Sequence, residues 1–218
     1  MKTINPATGE FLEEYDQMDD EALDAIAKDA AMAQEKWRRN SFYERSLLLQ
    51  RAAELLEENK EKYAKLMASE MGKPLAEGVS EIEKCAWVCD YYAENTADFL
   101  EEEVIKSDAS KSYVTFNPLG TVLAIMPWNF PFWQLFRFGA PALMAGNAVI
   151  LKHAPNVTGC ALAIEDLMHE AGIPDDLFRT VIADVDQTQN LIKHRDVAAV
   201  TLTGSTRAGK AVASTAGS

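Results

Sequence analysis

Asn129, Lys152 and the dipeptide Gly204-Ser205 stand at or just beyond the ends of apolar runs. They supply a carboxamide, a cation and a turn that opens a helix. A cation beside a helix start suits a phosphate-bearing ligand, because the first N–H groups of a helix are unpaired and its dipole favours negative charge there. A plainer reading makes Lys152 a solvated surface cation and Gly204 merely the residue before a helix. Position favours the ligand, provided that the runs are strands of a parallel sheet, since such sheets bind ligands beyond their carboxyl ends.

The same turn admits a second chemistry. Gly204-Ser205-Thr206-Arg207-Ala208-Gly209-Lys210-Ala211 matches the Gly-x4-Gly-Lys start of a phosphate-binding P-loop. That motif next needs a Ser or Thr hydroxyl for magnesium, and Ala211 has none. A P-loop phosphotransferase is therefore the weaker alternative.

The elements that must hold these groups can be read from periodicity. Gly120 to Met126 is a continuous apolar run, as a buried parallel strand should be. A helical stretch to about Met144 follows it, then a strand at Ala148–Leu151 and a helix over Thr158–Ala171 closed by Gly172 and Pro174. A strand over Phe178–Ile182, a short helix over Gln187–His194 and a strand over Val197–Thr203 complete the series. This alternation predicts an α/β fold with a doubly wound parallel sheet. Four strand ends then present Met126-Pro127-Trp128-Asn129, Lys152-His153-Ala154-Pro155, Ala183-Asp184 and Thr203-Gly204-Ser205. Upstream, Asn5 to Glu10 reads as a turn. Leu23, Ile26, Ala27, Ala30, Gln34 and Trp37 read as a first helix after Asp19-Asp20, and Ser41 to Glu44 as the capping box of a second, carrying Leu47 to Leu56. Gly72 and Pro74 are expected to stop a third helix, and Glu77 to Phe99 to form a fourth. Val104-Ile105 and Tyr113 to Phe116 flank a polar turn, as in a hairpin.

A net charge of −13 over 218 residues argues against nucleic-acid or anionic-membrane partners, which need clustered positive charge. No apolar run reaches the roughly 18 residues of a membrane helix. Met1 to Glu14 lacks the pattern of a secretory signal, which predicts a cytoplasmic protein. Cys85, Cys89 and Cys160 show no metal spacing, and Cys85 and Cys89 read as buried thiols one helical turn apart.

Ile125-Met126-Pro127-Trp128-Asn129-Phe130-Pro131, then Leu151-Lys152, then Thr203-Gly204-Ser205, resembles the ordered signature of aldehyde dehydrogenases. Asn5-Pro6-Ala7-Thr8-Gly9 and Glu70-Met71-Gly72-Lys73-Pro74 are similar to that family too, so the resemblance covers essentially the whole chain. Leu151 to Asn156 and Thr203 to Gly209 resemble bacterial NAD(P)-dependent succinate-semialdehyde dehydrogenases in particular.

The resemblance implies an incomplete cofactor-binding domain: helices over 1–101, a β-hairpin oligomerisation arm over 102–118, and a Rossmann-like part over 119–218, with the catalytic domain absent. It implies a reaction in which a cysteine thiolate attacks an aldehyde, a hydride passes to NAD or NADP, and a glutamate activates water for thioester hydrolysis. Asn129 would donate to the developing oxyanion. Lys152 would hold the adenosine ribose, Gly204 and Ser205 the pyrophosphate, and Ile125, Met126, Pro127 and Trp128 would line the cofactor cleft. Arg137, eight residues after Asn129, would pair with a distal carboxylate of the substrate. Ala154 and Pro155 complete the cofactor set. Pro155 stands where many NAD-preferring members carry a glutamate, which leaves NADP open. None of the three cysteines matches the nucleophile, and the 218 residues stop before the segments that bear the glutamate and the cysteine. The chain alone is thus expected to be inactive toward its small-molecule aldehyde, and to form a homo-oligomer or associate with a missing C-terminal part. A stand-alone nucleotide-binding or interaction fragment is the other reading.

Overall fold

The computed structural model describes residues 1–218. Every residue of the apolar run over 121–124 is buried, because helices cover both faces of the strand it forms. That strand, β5 (Thr121–Ile125), lies inside a parallel four-stranded sheet with β6 (Ala148–Lys152), β7 (Phe178–Thr180) and β8 (Val197–Leu202), in the order β7-β6-β5-β8. The chain steps outward from β5 to β7 and then returns to place β8 on the other side of β5. The connections are α4 (Pro131–Met144), α5 (Thr158–Glu170) after a 3₁₀ turn at Pro155–Val157, and α6 (Val185–Ile192); α7 (Thr206–Ala216) follows β8.

The remaining elements pack around this sheet. β1 (Lys2–Ile4) and β2 (Phe11–Glu14) pair antiparallel around the Asn5–Glu10 turn. α1 (Asp20–Trp37), capped by Asp19, lies with α6 against one side of the sheet. α2 (Phe42–Met71) and α3 (Leu75–Phe99) form a hairpin behind α4 and α5 on the other. β3 (Glu103–Val104) and β4 (Tyr113–Val114) make a short antiparallel ladder of exposed residues. No helix is long and apolar enough to cross a membrane.

Two helices were expected between Ser41 and Gly72; there is one, of 30 residues. The polar stretch Glu57 to Lys62 is solvent-facing helix rather than a break. It contains no Gly or Pro, and the buried stripe Ala52, Leu55, Leu56 resumes at Tyr63, Ala64 and Met67 in the same phase. The Ser41–Glu44 capping box forms, and Gly72 ends the helix in the left-handed conformation at φ 76°.

α2 and α3 approach so closely that a Cβ on Gly78 would lie 2.9 Å from Ala64 Cβ and 3.0 Å from Ala64 Cα. Gly78→Ala must part the two helices. We expect a loss of about 1–3 kcal/mol, the scale of overpacking in a dense core. Urea denaturation would measure it, and an unchanged midpoint would show that the hairpin has slack.

Candidate functional site

Register aligns the strand ends. Ile125 pairs with Lys152 on one side and with Leu202 on the other. The ladders run one step further, Met126 N–H to Lys152 O at 3.1 Å and Thr203 N–H to Ile125 O at 3.1 Å, so the loops leave from fixed points. β5 and β8 flank the place where strand order reverses, where open α/β sheets gather their ligands.

Lys152 is half-buried, and its ammonium has neither a hydrogen bond nor an ion pair within the protein. Burial pushes its pKa down, with Asp184 pulling weakly the other way. A desolvated cation without a partner is costly unless a ligand supplies one. Beside it α6 and α7 part to leave a cavity of about 150 Å³, lined by Ile125, Leu202, Val185, Ile192, Ala208 and Val212. That volume is of the order that accepts a single aromatic ring. At the same end Ser205 caps α7, its Oγ accepting from Ala208 N–H at 3.2 Å. The hydroxyl proton stays available to an anion, as do the N–H groups of the first helical turn. Asp184 caps α6 with Gln187 and is tied to Gln17, which fixes the other wall of the cavity.

The β5 loop stands next to this cleft. Met126 is buried, Pro127 is partly covered, and Trp128 and Asn129 are exposed. The Asn129 carboxamide makes no hydrogen bond to the protein. The loop is gripped from behind. His153, buried on the β6 loop, bonds Pro131 O through Nε2 at 2.9 Å and accepts from Ala154 N–H through Nδ1 at 2.9 Å. Those contacts place its proton on Nε2, and burial holds its pKa down at about 4. Glu81 Oε1 accepts Phe132 N–H at 2.9 Å and Trp133 N–H at 3.0 Å, while Oε2 pairs with Lys73. Lys73 Nζ also lies 3.8 Å from the centre of the Phe130 ring.

The sequence-derived set is therefore split. Ile125 and Lys152 line one cleft, and Gly204 and Ser205 lead into α7, the helix that forms one of its walls. Asn129 and Trp128 stand on the neighbouring loop. Arg137, exposed on α4, reaches β8, where its Nη2 donates to Thr203 Oγ1 at 2.9 Å. Ala154 is partly buried, and exposed Pro155 opens the 3₁₀ turn, so no carboxylate occupies that position. The apolar lining Val185, Ile192, Ala208 and Val212 was not singled out from sequence, although the spacing of Ala208, Ala211 and Val212 on one helix face was available. Roles for His153, Lys73 and Glu81 were not legible either, since their partners are remote in sequence. Cys85, Cys89 and Cys160 are all buried, burial pushes each thiol's pKa well up, and none stands at a strand end.

Doubly wound topology, an aromatic-sized cleft and a lysine without a protein partner thus meet at the carboxyl end of one sheet. Comparison with known proteins narrows this. The aldehyde dehydrogenase family matches residues 1–218. A probable succinate-semialdehyde dehydrogenase [NADP(+)] of Synechocystis sp. is 43% identical over 98% of this chain and 47% of its own length. The succinate-semialdehyde dehydrogenase [NADP(+)] of Mycobacterium leprae is 44% identical over 99% of the chain and 48% of its own length. The crystal structure of succinic semialdehyde dehydrogenase from Streptococcus pyogenes in complex with NADP+ superposes with TM-score 0.96 at 35% identity, over 99% of this chain and 48% of that one. The chain belongs to the aldehyde dehydrogenase family. It spans about half the length of the curated relatives it matches.

Proposed function

We propose that this chain is the dinucleotide-binding half of an NADP-dependent aldehyde dehydrogenase acting on succinate semialdehyde. The observation that carries the reading is Lys152, a half-buried cation with no protein partner that lines the apolar cleft between α6 and α7. In this reading the adenine enters the α6–α7 cleft, Lys152 holds the adenosine ribose, and Gly204, Ser205 and the first turn of α7 hold the pyrophosphate. Ile125, Met126, Pro127 and Trp128 face the rest of the cofactor, with Ala154 and Pro155 beside the ribose. Pro155 brings no negative charge toward a 2′-phosphate, which supports NADP over NAD, as do the names of the relatives. When bound, the nicotinamide supplies the hydride acceptor. Asn129 donates to the oxyanion of the adduct formed at the aldehyde carbon, and Arg137 exchanges Thr203 for the distal carboxylate of the substrate.

The adduct needs a thiolate that these residues do not provide, because every thiol is buried with a raised pKa. β8 is moreover an edge strand, and Leu119, Val122, Phe138, Pro141 and Val200 line an open hollow of about 680 Å³ beside it. We assign that surface to the remaining half of the enzyme, with residues 102–118 as an arm for association and residues 119–218 as the Rossmann-like part. Purified chain mixed with succinate semialdehyde and either nicotinamide cofactor should bind dinucleotide without reducing it. Cofactor reduction that disappears on replacing Cys85, Cys89 or Cys160 would overturn the assignment.

A further inference from the structure

We propose that Lys73 and Glu81 are positioning residues whose task is to aim Asn129. This rests on the reading of Asn129 as the oxyanion donor. Asn129 has no anchor of its own, yet each of the four residues after it is held. Lys73 Nζ sits on the Phe130 ring at 3.8 Å, and His153 takes Pro131 O at 2.9 Å. Glu81 Oε1 takes Phe132 N–H at 2.9 Å and Trp133 N–H at 3.0 Å. The Lys73 and Glu81 side chains are 4% and 1% exposed. Burying an ion pair gains little stability over packed apolar residues, so such a pair is better explained by the geometry it enforces.

A neighbouring contact shows what capping alone requires. Glu70, also buried, accepts Gly159 N–H and Cys160 N–H at 2.9 Å each and so caps α5, with no lysine paired to it. Glu81 performs the same service for α4. Lys73 is therefore surplus to capping, and its other contact is the ring next to Asn129. The pair links the α2–α3 turn to the loop. Glu81 sets where α4 begins, and Lys73 sets the last loop residue before it.

The test uses the 218-residue chain and needs neither ligand nor turnover. The side-chain amide resonance of Asn129 and backbone amide exchange over residues 128–133 are followed in Lys73→Gln, Lys73→Arg, Phe130→Leu and Glu70→Gln. Phe130→Leu removes the ring while leaving the buried pair intact, so it decides the matter if Lys73→Gln does not fold. We expect Lys73→Gln and Phe130→Leu to move the Asn129 resonance and to speed exchange of this segment about fivefold, the scale of one lost cation–π contact at a partly exposed ring. Lys73→Arg should restore both, and Glu70→Gln should disturb Gly159 and Cys160 only. An unmoved Asn129 resonance with unchanged exchange in folded Phe130→Leu would overturn the proposal. Failure of the Asn129 reading itself would show elsewhere, as undiminished turnover in Asn129→Ala.

Discussion

Asn129→Ala is expected to lower aldehyde turnover by roughly 10²–10³ when this half is joined to the half its relatives carry beyond it. That is the usual scale for removing one preorganised donor to an oxyanion. The carboxamide is exposed at the end of β5 and engaged with nothing in the protein, so it needs no internal bond broken before it can serve a substrate. Its loop is nevertheless fixed, by His153, Glu81 and Lys73. Holding the loop backbone narrows the positions the amide can take, which is the part of electrostatic preorganisation that this chain supplies. The loss should appear in kcat, with KM for the dinucleotide nearly unchanged, because Lys152 and the α6–α7 cleft are separate from the amide. Arg137→Ala offers the contrast: it should impair succinate semialdehyde far more than an uncharged aldehyde of similar length. Equal losses for the two aldehydes would make Arg137 a tie between α4 and Thr203 and nothing more.

Between pH 7 and pH 4 the chain is expected to lose about 3 kcal/mol of stability through His153 alone. Its ordinary pKa of 6.5 is held down to about 4 in the folded protein, chiefly because burial penalises the imidazolium, with the bond to Pro131 O opposing and the Lys152 charge assisting. The unfolded chain therefore takes up a proton as pH falls through 6.5 while the folded chain resists until about 4. Above 6.5 both states are neutral at this residue and the contribution is complete; below that it drains away at about 1.4 kcal/mol per pH unit. His153→Gln removes the titration while leaving an amide N–H that can reach Pro131 O. Urea midpoints for both proteins across this pH range would isolate the effect. Parallel curves would show that His153 is solvated rather than buried.

The sheet was legible in the sequence because burial on both faces writes a strand as an unbroken apolar run, as in Val122-Leu123-Ala124 and Val149-Ile150-Leu151. The strand ends, and with them Asn129, Lys152 and Gly204-Ser205, followed from those runs. Length was less legible in α2, where a polar stretch between two apolar stripes looked like a boundary although nothing in it breaks a helix. What stayed hidden depends on long-range partners. Glu81 lies 51 residues from the Phe132 amide it accepts, and Arg137 lies 66 residues from Thr203. Composition does not announce such bonds, since a glutamate on α3 looks the same whether it faces water or the start of another helix. The α6–α7 cleft was missed for a related reason: it exists only because two short helices, each ordinary alone, lie side by side over β8.

The dinucleotide site is tested most directly by titrating NADP+ into the purified chain and its Lys152→Ala variant in a calorimeter. The wild-type chain should bind, and the variant should bind more weakly by about 1–3 kcal/mol, the range for a charge-assisted hydrogen bond lost from a partly desolvated site. Equal affinity in the two proteins would contradict the assignment of Lys152, and with it the placement of the cofactor across the carboxyl ends of β5, β6 and β8.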